Sequence, residues 1–133
     1  SQWLPGAARF ESATAPFPLM SGLLDAFTVH NNFGSSEERF QLISANSEKL
    51  RNAIRNLPGL QLLSDLSDSG GSGLVSFTVD AISQSELVRK LEENYKIIVR
   101  TIPYPHSVRA SVHYFSEQDV NAMATAMSEI LRN

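Results

Sequence analysis

Between Ser35 and Pro58 apolar residues return every three or four positions: Phe40, Ile43, Leu50, Ile54 and Leu57 fall on one stripe. That period predicts an amphipathic helix. Ser35 followed by Glu38 has capping-box spacing at its start, and Pro58-Gly59 suits a stop. Leu87, Val88, Leu91 and Tyr95 repeat the pattern behind Ser83 and Glu86. Val120, Met123, Ala124, Met127, Ile130 and Leu131 do so again behind Ser116 and Asp119. A further helix, from about Pro18 to Phe33, is different. Leu19, Met20, Leu23, Leu24, Ala26, Phe27 and Val29 spread over more than one of its faces. A helix of that kind needs cover on several sides. Pro18 suits its first turn and Gly34 its end.

The strand signals are shorter. "LQLLS", from Leu60, is a strand candidate, and "LVSFTVD" alternates, with Val75, Phe77 and Val79 opposed to Leu74, Ser76, Thr78 and Asp80. "KIIVRTI", opening at Lys96, is β-branched. "SVRASVHYF" sets Val108, Ala110, Val112 and Tyr114 against Ser107, Arg109, Ser111 and His113. "DLSDSGGSG" reads as a flexible connection, and residues 1–15 as an irregular lead-in. The order is α-α-β-β-α-β-β-α. It predicts an α+β, two-layer sandwich: a small, mainly antiparallel sheet covered by helices and preceded by a connecting helix. Residues 1–34 form the lead-in and connecting helix, and 35–133 the small α+β domain.

Length and composition narrow the function classes. A chain of 133 residues is long enough for one hydrophobic core. A net charge of −3 opposes a nucleic-acid binder, which carries a basic stripe. No apolar run is long enough to span a bilayer, so no membrane partner is expected. Cysteine is absent, which removes disulfides, thiolate metal sites and cysteine nucleophiles from this chain. A cytoplasmic or plastid-stroma setting is compatible with that.

The candidate chemistry is sparse. Arg100 and Arg109 stand nine residues apart around a linker with two prolines, Pro103 and Pro105. A guanidinium grips a carboxylate through two parallel hydrogen bonds at any working pH. Both could point at one spot; the other reading of Arg109 is a solvated edge-strand arginine. His30, His106 and His113 lack metal-ligand spacing, so no metal is expected. The three lysines, Lys49, Lys90 and Lys96, stand off the apolar stripes and read as surface residues, Lys96 at the opening of a strand. There is no GxSxG elbow, and "GGSG" does not follow a buried strand as a phosphate loop would.

The order of motifs resembles a known group. "RFESAT" followed by "PLMSGLLDAF", then "GLVSFTV", a helix, "IIVRTIPYPHSVRASVHYF" and a last helix opened by "SEQDV" resemble the C-terminal part of class V aminotransferases. These are the cysteine desulfurase-like enzymes of fold type I that use pyridoxal 5′-phosphate (PLP). The resemblance implies the C-terminal domain of a longer enzyme, with a large PLP-binding domain outside this chain and a homodimer as the working unit. It implies that Arg109 binds the α-carboxylate of an amino-acid substrate. Arg109 is then expected at the sheet edge beside the Pro103–Ser107 linker, without an internal ion pair. Thr14, closing "RFESAT", would contact the cofactor phosphate, with Ala13 where many members have glycine.

Two departures shape what is implied. Desulfurases carry a persulfide-forming cysteine before the second "VR" block; here Ile102-Pro103-Tyr104-Pro105-His106 stand there. The pattern is closer to the cysteine/cystine C–S lyase branch, in which Arg100 would hold the far carboxylate of a two-headed substrate such as cystine. Aminotransferase, epimerase and selenocysteine-lyase-like reactions are variants on the same scaffold. The Schiff-base lysine of this group belongs to the large domain. The chain alone is therefore expected to be inactive and to bind no PLP. The alternative is a free-standing ferredoxin-like ligand-binding or regulatory module, since Gly73 to Arg132 reads β-α-β-β-α and fold does not fix function.

Overall fold

The structure, a computed structural model, describes residue 6 and residues 16–63, 72–114 and 117–132. The chain divides into two compact units, Ser1–Ser35 and Ser36–Asn133. In the first, helix α1 spans Phe17–Asn31 with a proline in its first turn, and none of its residues is buried. Phe17, Leu19, Leu23, Leu24 and Phe27 are all more than half exposed. Gly34, with φ +97°, takes the left-handed backbone that follows the helix end.

The second unit holds the sheet. Helix α2 (Ser36–Ile54) is followed by β1 (Leu60–Leu62), β2 (Leu74–Val79), α3 (Gln84–Tyr95), β3 (Arg100–Pro103), β4 (His106–Ser111) and α4 (Glu117–Arg132). The predicted element order and the α+β class hold. The strand order is β1-β2-β4-β3, and every pairing is antiparallel. Val75 and Phe77 of β2 and Val108 and Ala110 of β4 form one buried face. It packs against Leu50 and Ile54 of α2, Leu87 and Leu91 of α3, and Val120, Met123, Ala126 and Met127 of α4. The alternation read from the sequence therefore sorts the two sheet faces as expected.

Helix α2 departs from its predicted stripe. Phe40 lies 44% exposed, while Arg39, Asn46, Ser47 and Arg51 are buried. The cause is the open ends of the strands that α2 crosses. Arg51 donates to the carbonyls of Ser72 (3.3 Å) and Leu74 (3.2 Å), and to Ser47 Oγ (3.2 Å). Asn46 Nδ2 donates to the carbonyls of His113 (3.0 Å) and Tyr114 (3.3 Å). Backbone carbonyls at the strand ends need donors, and polar side chains of α2 supply them where an apolar one could not.

Helix α3 is capped as predicted: Ser83 Oγ accepts from the Glu86 N–H at 3.3 Å. Its end corrects the strand expected to open at Lys96. Lys96 sits at φ +59°, its N–H donates to the Glu92 carbonyl, and Ile97 N–H reaches back to the Leu91 carbonyl. This is a Schellman-type closure, so regular pairing begins only at Arg100. Tyr95 Oη then donates to the Glu129 carboxylate at 2.8 Å and ties α3 to α4, a bond that raises the phenol above its ordinary pKa. The fourth strand likewise ends at Ser111, short of the predicted Phe115.

Gly73 is required by close approach. A Cβ there would lie 2.2 Å from the Val112 carbonyl oxygen, because Val112 N–H donates to the Gly73 carbonyl at 2.6 Å. Gly73→Ala should therefore destabilise by about 1–3 kcal/mol, as overpacking against backbone does. Phe77→Ala, at a fully buried site, should cost about 3–5 kcal/mol. Urea denaturation checks both; a Gly73→Ala variant as stable as the parent would contradict the described β2–β4 approach.

Candidate functional site

The second sheet face is polar, and its chemistry follows from register. The β3–β4 hairpin pairs Pro103 with His106 across Tyr104-Pro105, whose peptide bond is cis. Ser107 Oγ donates to the Pro105 carbonyl at 3.0 Å within this turn. Counting back from it, Ile102 meets Ser107, Thr101 meets Val108, and Arg100 meets Arg109. On the other side of β4, Arg109 pairs with Ser76. Ser76, Arg109 and Arg100 thus form one row across three strands. Residues directly opposite in an antiparallel pair project from the same face.

Arg109 is half-buried and donates through Nε to Ser76 Oγ at 3.4 Å. Arg100 is exposed. Among the described residues no carboxylate pairs with either arginine; the ion pairs there are Lys49–Glu117, Arg89–Glu93 and Lys90–Glu86. Like charges placed directly opposite one another repel. The row is therefore a place where positive charge is concentrated and not neutralised by the described side chains. What it can do chemically is hold one or two anionic groups through charge-assisted hydrogen bonds.

The arginines predicted from the sequence are brought together. One expectation is corrected: Arg109 is on an interior strand, flanked by β2 and β3, and the edge position belongs to Arg100. The "VRAS" strand is interior because β2, far away in the sequence, pairs along its other side. Ser76 was not singled out by the sequence. Alternation put it on the polar face, but no local signal states which residue of β4 it meets. Thr14 and the rest of "RFESAT" lie outside the described residues. The hollow beside the α3 N-terminus is lined by Asp80, Ser83, Thr101, Ile102 and His106, among others, and neither arginine lines it. Among the described residues no group of three His, Asp or Glu gathers as metal ligands would. No helix there is long and apolar enough to cross a membrane.

The lysines are placed as surface residues. Lys49 Nζ lies 3.0 Å from Glu117 Oε1 and Lys90 Nζ 3.6 Å from Glu86 Oε1, with every one of these side chains more than a third exposed. Lys96 Nζ donates to the Glu93 carbonyl at 3.0 Å.

Two solved structures of the enzyme C-DES share this architecture at TM-score 0.81 and 37% sequence identity, over 97% of this chain. One is a lysine-to-alanine variant with glycine covalently linked to the PLP cofactor. The other is the complex between the cystine C–S lyase C-DES and its reaction product, cysteine persulfide. Over nearly its whole length this chain is similar to part of C-DES, an enzyme of the class V aminotransferase fold. It spans about a third of the length of the C-DES chains. The cysteine desulfurase CsdA of Escherichia coli, in an S-sulfonic acid form, is also similar. That likeness has TM-score 0.61 and 20% identity over 70% of this chain and 25% of that chain, and is one of fold. No family model and no curated protein matches the sequence.

Arg100→Glu tests the register directly. It replaces a like-charge pair by an opposite-charge one, so unfolding in urea should require about 0.2–1 kcal/mol more, with the gain shrinking at high salt. No gain at low salt would place the two side chains out of reach of each other.

Proposed function

We propose that this chain supplies the substrate-carboxylate subsite of a PLP-dependent C–S lyase that cleaves cystine or cysteine by β-elimination. The observation that carries the reading is the cross-strand pair Arg100–Arg109, without a described carboxylate partner, in a chain 37% identical to the cystine C–S lyase C-DES. In this reading Arg109 takes the α-carboxylate through its planar fork. Arg100, directly opposite, takes the second carboxylate of a two-headed substrate. Fixing both ends limits rotation of the substrate and so orients the bond at Cα that must break. No persulfide-forming cysteine can come from this chain, which has none. That favours the lyase over a desulfurase relaying sulfur through its own thiol.

The described residues do not fit a PLP tether. All three lysines are engaged at the surface by a carboxylate or a carbonyl, and none is desolvated as a reactive amine would be. The cofactor, which supplies the electron sink of such reactions, and the lysine that carries it are assigned to the rest of the enzyme, a homodimer with a large PLP-binding domain. The chain alone is inactive in this account. The free-standing module finds less support, since the likeness to C-DES extends over 97% of the chain.

Two outcomes are expected. In the complete enzyme, Arg109→Ala should lower kcat/KM for cystine by about one to two orders of magnitude, the loss of a charge-assisted contact worth roughly 1.5–3 kcal/mol. Arg109→Lys should recover little of it, lacking the fork. An Arg109→Ala enzyme with parental kinetics would overturn the carboxylate assignment. Separately, the 133-residue chain supplied with PLP should release no more pyruvate and sulfide from cystine than free PLP does. Turnover abolished by substituting Lys49, Lys90 or Lys96 would show that a lysine of this chain is catalytic.

A further inference from the structure

We infer that Ser76 is a positioning residue: its hydroxyl takes the Nε–H of Arg109 and leaves the two terminal nitrogens of the guanidinium to meet a carboxylate end-on. The inference rests on the carboxylate reading of Arg109 given above.

Three observations combine. Ser76 stands directly opposite Arg109 in the β2–β4 ladder, and Arg109 Nε lies 3.4 Å from its Oγ. The backbone at Ser76 is fixed from both sides, because its carbonyl accepts from Leu63 N–H at 2.8 Å while β4 pairs along the other edge. Its neighbours Val75 and Phe77 are fully buried in the core. The hydroxyl is therefore delivered from a rigid strand, whereas the arginine reaches it through a flexible stem.

An arginine can present a carboxylate with either its Nε/Nη edge or its Nη1/Nη2 end. A hydroxyl on Nε removes the first choice. It also restrains a side chain that faces a second guanidinium and would otherwise swing away from it. Ser76 touches neither substrate nor cofactor in this account and acts only through Arg109.

The test compares Ser76→Thr, which keeps the hydroxyl, with Ser76→Val, which has the same shape without it; both suit a strand. In the complete enzyme with PLP and cystine, Ser76→Val should raise KM roughly three- to tenfold with kcat within about twofold, and Ser76→Thr should stay near the parent. A second readout needs no turnover. In the 133-residue chain labelled with nitrogen-15, the Arg109 Nε–H signal should exchange with water faster in Ser76→Val and unchanged in Ser76→Thr. If Arg109→Ala raises KM while Ser76→Val does not, the positioning role is overturned and the carboxylate site stands. If Arg109→Ala itself leaves KM unchanged, the underlying reading falls and takes this one with it. Equal KM values and equal exchange in the Val and Thr variants would also refute the inference.

Discussion

The register of the β3–β4 hairpin is the constraint on which the candidate site depends. Pairing Pro103 with His106 across a two-residue turn forces Arg100 onto Arg109. A slip of one residue would send one of the two arginines to the opposite face. Register is held by the other side of β4 as well. Val75 meets Ala110 and Phe77 meets Val108, and all four are buried. Shifting β4 against β2 would pull those side chains out of the core. The apolar face thus pays the cost of the polar one, which carries an unfavourable pair of like charges.

The helices serve that arrangement in different ways. α3 and α4 cover the sheet with apolar stripes led by Leu87, Leu91, Met123 and Met127. α2 contributes Leu50 and Ile54 to the same core, but it also seals strand ends with Arg51 and Asn46. Holding Ser72 and Leu74 fixes the entry to β2, two residues before Ser76. The chain of support therefore runs from a buried guanidinium on α2, through β2, to the half-buried guanidinium on β4. Helix α1 stands apart in character, with apolar side chains exposed along its length.

Much of this was legible where a physical rule acts locally. Alternation over 74–79 and 107–112 sorted the sheet faces, and Ser83 with Glu86 marked the start of α3. The sequence failed where distant partners decide. Phe40 matched the helical period, yet the face of α2 was set by strand carbonyls that only the fold brings near. Lys96 looked like the start of a β-branched strand, but closing α3 took Lys96 and Ile97 first. Arg109 was expected at an edge, since nothing local announces that β2 will pair with its strand. Ser76 was hidden for the same reason. The two arginines were legible as a pair from their spacing around Pro103 and Pro105, although their direct opposition needed the turn length.

In the proposed function Arg109 and Arg100 receive two different carboxylates. This assignment is tested most directly by measuring KM for cystine, which has two amino-acid ends, and for cysteine, which has one, in the complete enzyme and its Arg100→Ala variant. Arg100→Ala should raise KM for cystine by about tenfold or more, the loss of a charge-assisted contact, and leave that for cysteine within about twofold. An equal effect on the two substrates, or none on cystine, would contradict it.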